Sequence, residues 1–392
     1  MKTLIYKARA MRGWTQGRLV DELCQAAVRL GLKVASSPSL RVEISGWENG
    51  RHQPDVTYQL LLQEVFNLPP GALGFDNVED QYVTETALHA LVDKNASHCR
   101  ITPEILTYFI EQLGQHARMD NVSGPAFVIA TSCLQLKQLE KLASGDGDGE
   151  VLRMASRFAE FNGWLLQDSG QNGHALRVTE RAIDLAEALG DSELTTYNLM
   201  RKSNILTAMH DMTSNPVVIA RKAVDLAKRD APDLLPVCLR QQALTDSGLG
   251  DEKATKIALD NALNIAASSK VNENNSLASY CTTSYIQMEA ALCLLALRRP
   301  AEAVKACEDA LGDWPPELVR DESLCLARLA VSYCELRQVD EACDAGHRAI
   351  NLVYVAPSAR TIHMLHIAAH KLQPFARNRR VREFAEALTQ VA

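Results

Sequence analysis

The sequence predicts an all-α protein, laid out as a small helical unit at the N-terminus and a long array of paired helices behind it. Ala and Leu recur along the 392 residues while aromatics make up only 5%, a bias toward helices packed through small side chains. Capping residues and glycines bracket short amphipathic stretches over residues 3 to 75. From about Ala155 onward, small residues return in fixed triplets, the mark of stacked repeats.

The length calls for two or more folding units at roughly 100 to 200 residues each. With 47% apolar and 23% charged residues, the composition is that of an ordinary folded protein and not of a disordered one. The total of 41 Lys/Arg against 48 Asp/Glu gives a net charge of −7, the wrong sign for a nucleic-acid binder. That total hides an asymmetry. Residues 1–75 carry nine basic and six acidic groups, whereas the other 317 residues carry 32 and 42, so only the first segment suits phosphates.

Ten cysteines occur without any C-x-x-C, inside helical patterns such as "SLCLARLAVSYCELRQVDEAC" (Cys325, Cys334, Cys343). They are expected to be small buried apolar residues in a reducing compartment. The N-terminal "TLIY" is too short for a signal sequence and "AALCLLAL" before Arg298 is too short to span a bilayer, so a cytoplasmic protein without a membrane partner is expected.

Element by element, Leu4 to Met11 forms a first helix that Gly13 stops. Thr15 caps a second helix, which buries Leu19, Val20 and Leu23 and runs to about Leu30. After the break "GLKVASSP", Ser39 caps a third helix, "LRVEISGWEN", ended by Gly50. "VTYQLLLQEVF" supplies a fourth. In the third helix Ile44 and Trp47, three apart, form the buried side, which leaves Arg41, Val42 and Ser45 outward near its N-terminus.

The string "WTQGRLVDEL … SLRVEISGWENGRHQP" resembles the lambda-repressor-like (Xre) helix-turn-helix family over about 70 residues, with Ile44, Ser45, Trp47, Glu48, Gly50 and Pro54 filling the recognition-helix positions. The resemblance implies a double-stranded DNA operator as partner. In its terms Arg41 makes a bidentate pair with guanine, Val42 touches a thymine methyl and Ser45 joins them at the base edges. Gln16, Asn49, Arg51 and His52 are placed for phosphate contacts. Gly46 stands where the family often has a base-reading side chain: either a contact is missing or the backbone approaches DNA closely.

In the array, three triplets spaced twelve and then seven residues apart are complete: Gly163, Ala175, Ala182; Ala291, Ala303, Ala310; and Ala330, Ala342, Ala349. Two weaker ones intervene, Asn204, Pro216, Ala223 and Ala243, Thr255, Ala262. Their last members lie 41, 39, 48 and 39 residues apart, and "SSKVNENNS" accounts for the widest gap. The pattern resembles the tetratricopeptide repeat, and the two resemblances together imply an N-terminal helix-turn-helix domain followed by a tetratricopeptide-type α-solenoid. The expected organisation is a DNA-binding domain at 1–75, a helical linker and cap at 76–150 containing the glycine-rich linker "SGDGDGE", and a ligand-sensing and dimerisation domain at 151–392.

The repeat register places Arg157, Glu160, Trp164, Asn198, Arg201, Arg240, Tyr285 and Met288 on the concave side. Asn and Arg in such a groove grip backbone amides and carboxylates. Arg201 and Arg240 hold equivalent positions in adjacent repeats and are the expected anchors of a ligand. Alternatively these residues pair internally, as Glu160 with Arg201. The whole layout resembles the peptide-sensing helix-turn-helix and tetratricopeptide regulators of Gram-positive bacteria, actinobacterial members in particular. That resemblance implies a homodimer and a short peptide or other small-molecule signal.

No phosphate loop, nucleophile elbow or H-E-x-x-H string occurs, so no enzyme and no cofactor are expected. His363, His366 and His370 share a helical face but lack an evident fourth ligand, and Cys343 with His347 is a weaker case, so no metal is assigned. The alternative to a ligand-gated regulator is a protein-interaction adaptor whose helix-turn-helix does not read DNA.

Overall fold

A computed structural model of the chain describes residues 3–29, 34–66, 68, 73–75, 102–143, 149–209, 215–268 and 277–391. The fold is all-α: eighteen α-helices among the described residues, and no strand. The contacts divide the chain into two units, residues 1–95 and 96–392.

The first unit contains α1 (Leu4–Met11), α2 (Gln16–Arg29), α3 (Ser37–Glu48) and α4 (Val56–Phe66). Gly13 ends α1 with a left-handed φ of 65°, which an L side chain adopts only with strain. The Thr15 hydroxyl accepts the Arg18 amide at 3.1 Å, capping α2 as its sequence predicts. For α3 the cap differs. The helix begins at Ser37, behind Ser36, and Ser39 lies inside its first turn, bonded to the Ser36 hydroxyl at 3.0 Å. Pro38 fits the first turn because its missing N–H has no helical partner there, which moves the start three residues upstream. The core gathers Ile5, Leu19, Leu23, Leu40, Ile44, Trp47, Leu61 and Phe66. Glu48 is buried in it, paired with Arg9 and accepting from the Gln16 amide at 2.8 Å.

The second unit is a stack of antiparallel helix pairs: α5 (Pro103–Ser123), α6 (Pro125–Ala143), α7 (Gly149–Asp168), α8 (Asn172–Leu189), α9 (Ser192–Met209), α10 (Pro216–Asp230), α11 (Leu235–Gly248), α12 (Glu252–Ser268), α13 (Thr283–Ala296), α14 (Pro300–Gly312), α15 (Val319–Glu335), α16 (Val339–Val353), α17 (Ala359–Leu372) and α18 (Arg379–Leu388). Ala175, Ala182, Ala223, Ala243, Ala262, Ala291, Ala303, Ala310, Ala330, Ala342 and Ala349 are all fully buried where helices cross. At Gly163 a Cβ would come within 2.4 Å of the Thr179 hydroxyl on α8, so α7 and α8 approach as closely as the triplet pattern requires. The α9–α10 crossing departs from the predicted register. Asn204 is only half-buried, and the buried small residue is Ser203, which donates to the Pro216 carbonyl at 2.9 Å. Helices α5 and α6 pack with α7 as part of this unit. The rest of the expected linker, residues 76–101 and 144–148, and most of the loop 268–276 lie outside the described residues.

The stack curves until its two ends meet. Helix α5 packs on α15, the Cβ position of Gly124 would sit 2.8 Å from the Pro357 carbonyl, and Asp168 on α7 accepts from the Ser358 hydroxyl (2.7 Å) and the Arg360 guanidinium (2.8 Å).

Candidate functional site

On the first unit, Arg41 and Val42 are exposed, Val42 by 71%, while Ile44 and Trp47 face the core. The Arg41 guanidinium lies beside Gly17 in the first turn of α2, where a Cβ would come within 3.1 Å of it. Ser45 is half-buried, and its carbonyl accepts the Asn49 side-chain amide at 2.7 Å. Arg51 is exposed. Gln16 is turned toward buried Glu48, and Asn49 caps the end of α3, so both polar groups serve the domain itself. His52 accounts for Gly46: its ring occupies the place of a Cβ there, 2.2 Å away, with Nε2 3.7 Å from Glu43. The glycine makes room for the imidazole.

The second unit encloses a cavity of about 640 Å³, bounded by α5, α7, α9, the segment before α13, and the start of α15. Six of the eight residues placed on the concave side line it: Arg157, Glu160, Trp164, Asn198, Arg201 and Tyr285. Arg240 and Met288 do not. Both are buried, Arg240 to 1% exposure, because α13 and the Tyr280 segment cover that part of the inner face. Arg240 pairs there with Glu289 (3.5 Å), donates to Gln241 (2.9 Å) and lies over the Tyr285 ring at 5.6 Å. Arg328 completes the cluster by donating to Glu289 at 2.8 Å. Burial alone would raise the Glu289 pKa, but Arg328 and Arg240 hold it down at about 2.

Within the cavity Arg201 is committed. It donates to Glu160 (3.2 Å) and Gln167 (2.7 Å) and stacks over Trp164 at 4.9 Å. The internal pair Glu160–Arg201, the sequence-level alternative, is therefore formed, and Arg201 and Arg240 are not free ligand anchors. A ladder of side-chain amides runs on from this pair, Gln167 to Asn204 (2.9 Å) and Asn204 to Gln241 (3.0 Å). Trp164 also lies under Arg320 (4.8 Å) and Arg360 (4.4 Å), and its indole donates to Asp120 at 3.0 Å. Asp120 pairs with Arg320, which also approaches Asp168 at 3.8 Å.

Sequence reasoning did not find Asp120, Asn121, Tyr197, Tyr280 or Arg320, all of which line the cavity. Asp120 and Arg320 meet across 200 residues, and no local spacing announces that. Tyr197 and Tyr280 share a hydroxyl hydrogen bond at 3.1 Å, and Tyr280 meets Tyr285 edge-on at 5.0 Å, forming an aromatic wall.

Among the described residues no group of three or more His, Cys, Asp or Glu is arranged to hold a metal, and no helix is long and apolar enough to cross a membrane. Comparison of the chain with protein-family models found no match, and comparison with curated proteins found none either.

Proposed function

We propose that the chain is a sequence-specific DNA-binding transcription regulator, whose first unit reads an operator and whose helical array binds a small regulatory ligand. The observation that most supports this is the division of α3: its Ile44 and Trp47 side is buried, while Arg41 and Val42 stand exposed on its N-terminal half, the end that enters the major groove in helix-turn-helix proteins. Arg41 beside the first turn of α2 adds positive charge where the helix N-terminus already favours a phosphate or a base-edge acceptor. The cavity in the array supplies a sensing site of ligand size, since pockets of about 300 to 1,000 Å³ hold one small molecule.

One such unit reads too few base pairs for tight binding, so a homodimer on half-sites about one or more helical turns apart belongs to this reading. Light scattering checks it: a monomer that binds a single half-site tightly would remove the dimer from the account. The central test is a mobility shift with DNA upstream of the chain's own gene. Arg41→Ala is expected to weaken specific binding by about 1–3 kcal/mol and to change binding to random DNA less. Equal losses on both would assign Arg41 to phosphate, and no specific shift by the wild type would favour the adaptor reading.

A further inference from the structure

Three arginines line the cavity, and two of them have carboxylate partners at ion-pair distance. Arg201 has Glu160 and Gln167; Arg320 has Asp120, with Asp168 and Asp321 close by. Arg157 differs. It sits on α7 among the lining residues, and no carboxylate among the described residues stands within ion-pair distance; its Nε, like that of Arg320, is buried without a hydrogen-bond partner. Burial lowers its pKa, which expresses the same uncompensated cost. The cavity lining also carries three buried oxygens without a partner: Asp120 Oδ1 and Asn121 Oδ1 on α5 and Asn198 Oδ1 on α9. One arginine without an ion pair and three residues with an unmatched acceptor thus line a single space, bounded on another side by Tyr197, Tyr280 and Tyr285.

We infer that the cavity takes a ligand with a free carboxylate next to an amide N–H and an apolar side group, an acylamino-acid unit, with Arg157 as the carboxylate anchor. This rests on the ligand-sensing half of the proposed function and is independent of DNA binding. Arg157 supplies the fork-shaped donor a carboxylate needs. The asparagine and aspartate side chains of the lining supply the acceptors for the amide by turning their buried oxygens into the cavity, and the tyrosine wall covers the side group. The same unit occurs in a free N-acylamino acid and at the C-terminus of a short peptide. A cavity of about 640 Å³ fits the small form whole and the peptide only by its end.

Isothermal titration of the full-length protein with N-acetyl-L-phenylalanine, its C-terminal amide, and a short peptide ending in the same residue tests this. The acid should bind roughly ten- to a hundred-fold more tightly than the amide, the worth of a charged hydrogen-bonding partner. Arg157→Met should abolish that preference and Arg157→Lys should keep part of it. Because Arg157 makes no ion pair at contact distance and only a longer-range attraction, chiefly to Glu160, the Arg157→Met protein should melt close to the wild type. Tight binding of the peptide with none of the free acid would assign the site to peptide C-termini, and the reverse to free acylamino acids. Equal binding of acid and amide, a preference that survives Arg157→Met, or no binding of any probe at millimolar concentration would overturn the inference. Operator binding measured on the same samples separates such a failure from a failure of the DNA-binding reading.

Discussion

The inner faces of α7–α9 and of α11–α15 both present arginines from corresponding places in the stack, and they treat them in opposite ways. Around α11, Arg240 and Arg328 converge on Glu289 and the space is filled, with Tyr285 as the partition. Around α7, Arg201 has its carboxylate but Arg157 has none at ion-pair distance, and the space stays open. Buried charge stabilises a fold only when matched, so the filled region is a structural cluster and the open one has spare capacity to recognise something. The two carboxylates show the same contrast. Glu289, between two arginines, is held at about 2, whereas burial at the cavity wall pushes Glu160 upward against the pull of Arg201 and Arg157.

Removing the centre of the filled cluster should have the largest effect. Glu289→Ala leaves Arg240 and Arg328 buried without their anion and should cost about 3–5 kcal/mol in chemical denaturation. A loss near that of an ordinary surface substitution would mean the cluster is not the buried, matched one described. Acid sharpens the comparison next. The folded-state pKa of Glu289 lies below its ordinary 4.5, so its stabilisation is complete above that value and fades as pH falls toward 2, a change on the order of 3 kcal/mol. Glu160, shifted upward, contributes with the opposite sign: its share is full below the ordinary value and is lost as pH rises. Stability curves of Glu289→Gln and Glu160→Gln should therefore depart from the wild type in opposite directions between acid and neutral pH, and parallel curves would contradict the contrast. Arg201→Met should have the smallest effect, about 1–2 kcal/mol, since Glu160 borders the open cavity and keeps Arg157 nearby. A larger loss than that of Glu289→Ala would reverse the ranking of the two regions.

The all-α fold and most of α1–α4 were legible because they depend on neighbours in sequence. A capping threonine, a left-handed glycine and apolar residues three and four apart act within one or two turns, and α4 falls where "VTYQLLLQEVF" predicts it. The alanine triplets were legible for the same reason, since each marks a crossing between consecutive helices. Identical register did not reveal the difference between Arg201 and Arg240. What decides it is the Tyr280 segment and α13, which cover Arg240 and leave Arg201 at the cavity wall, held by Glu160 and Gln167. Nor did α5 show itself as a cavity wall, because Asp120 reaches Arg320 only through curvature accumulated over five helix pairs.

The meeting of Asp120 and Asp168 with Arg320, Ser358 and Arg360 gives the array a property that helical repeats usually lack. An open stack is held together by contacts between adjacent repeats, so it can fray from an end and unfold in stages. Here the first two pairs hold the last two, and releasing the C-terminal helices also strips α5 and α7 of their partners. The array should therefore unfold in a single cooperative transition, and its closure should be a late, slow event in folding, because groups some 190 to 200 residues apart must find one another before those ion pairs contribute anything.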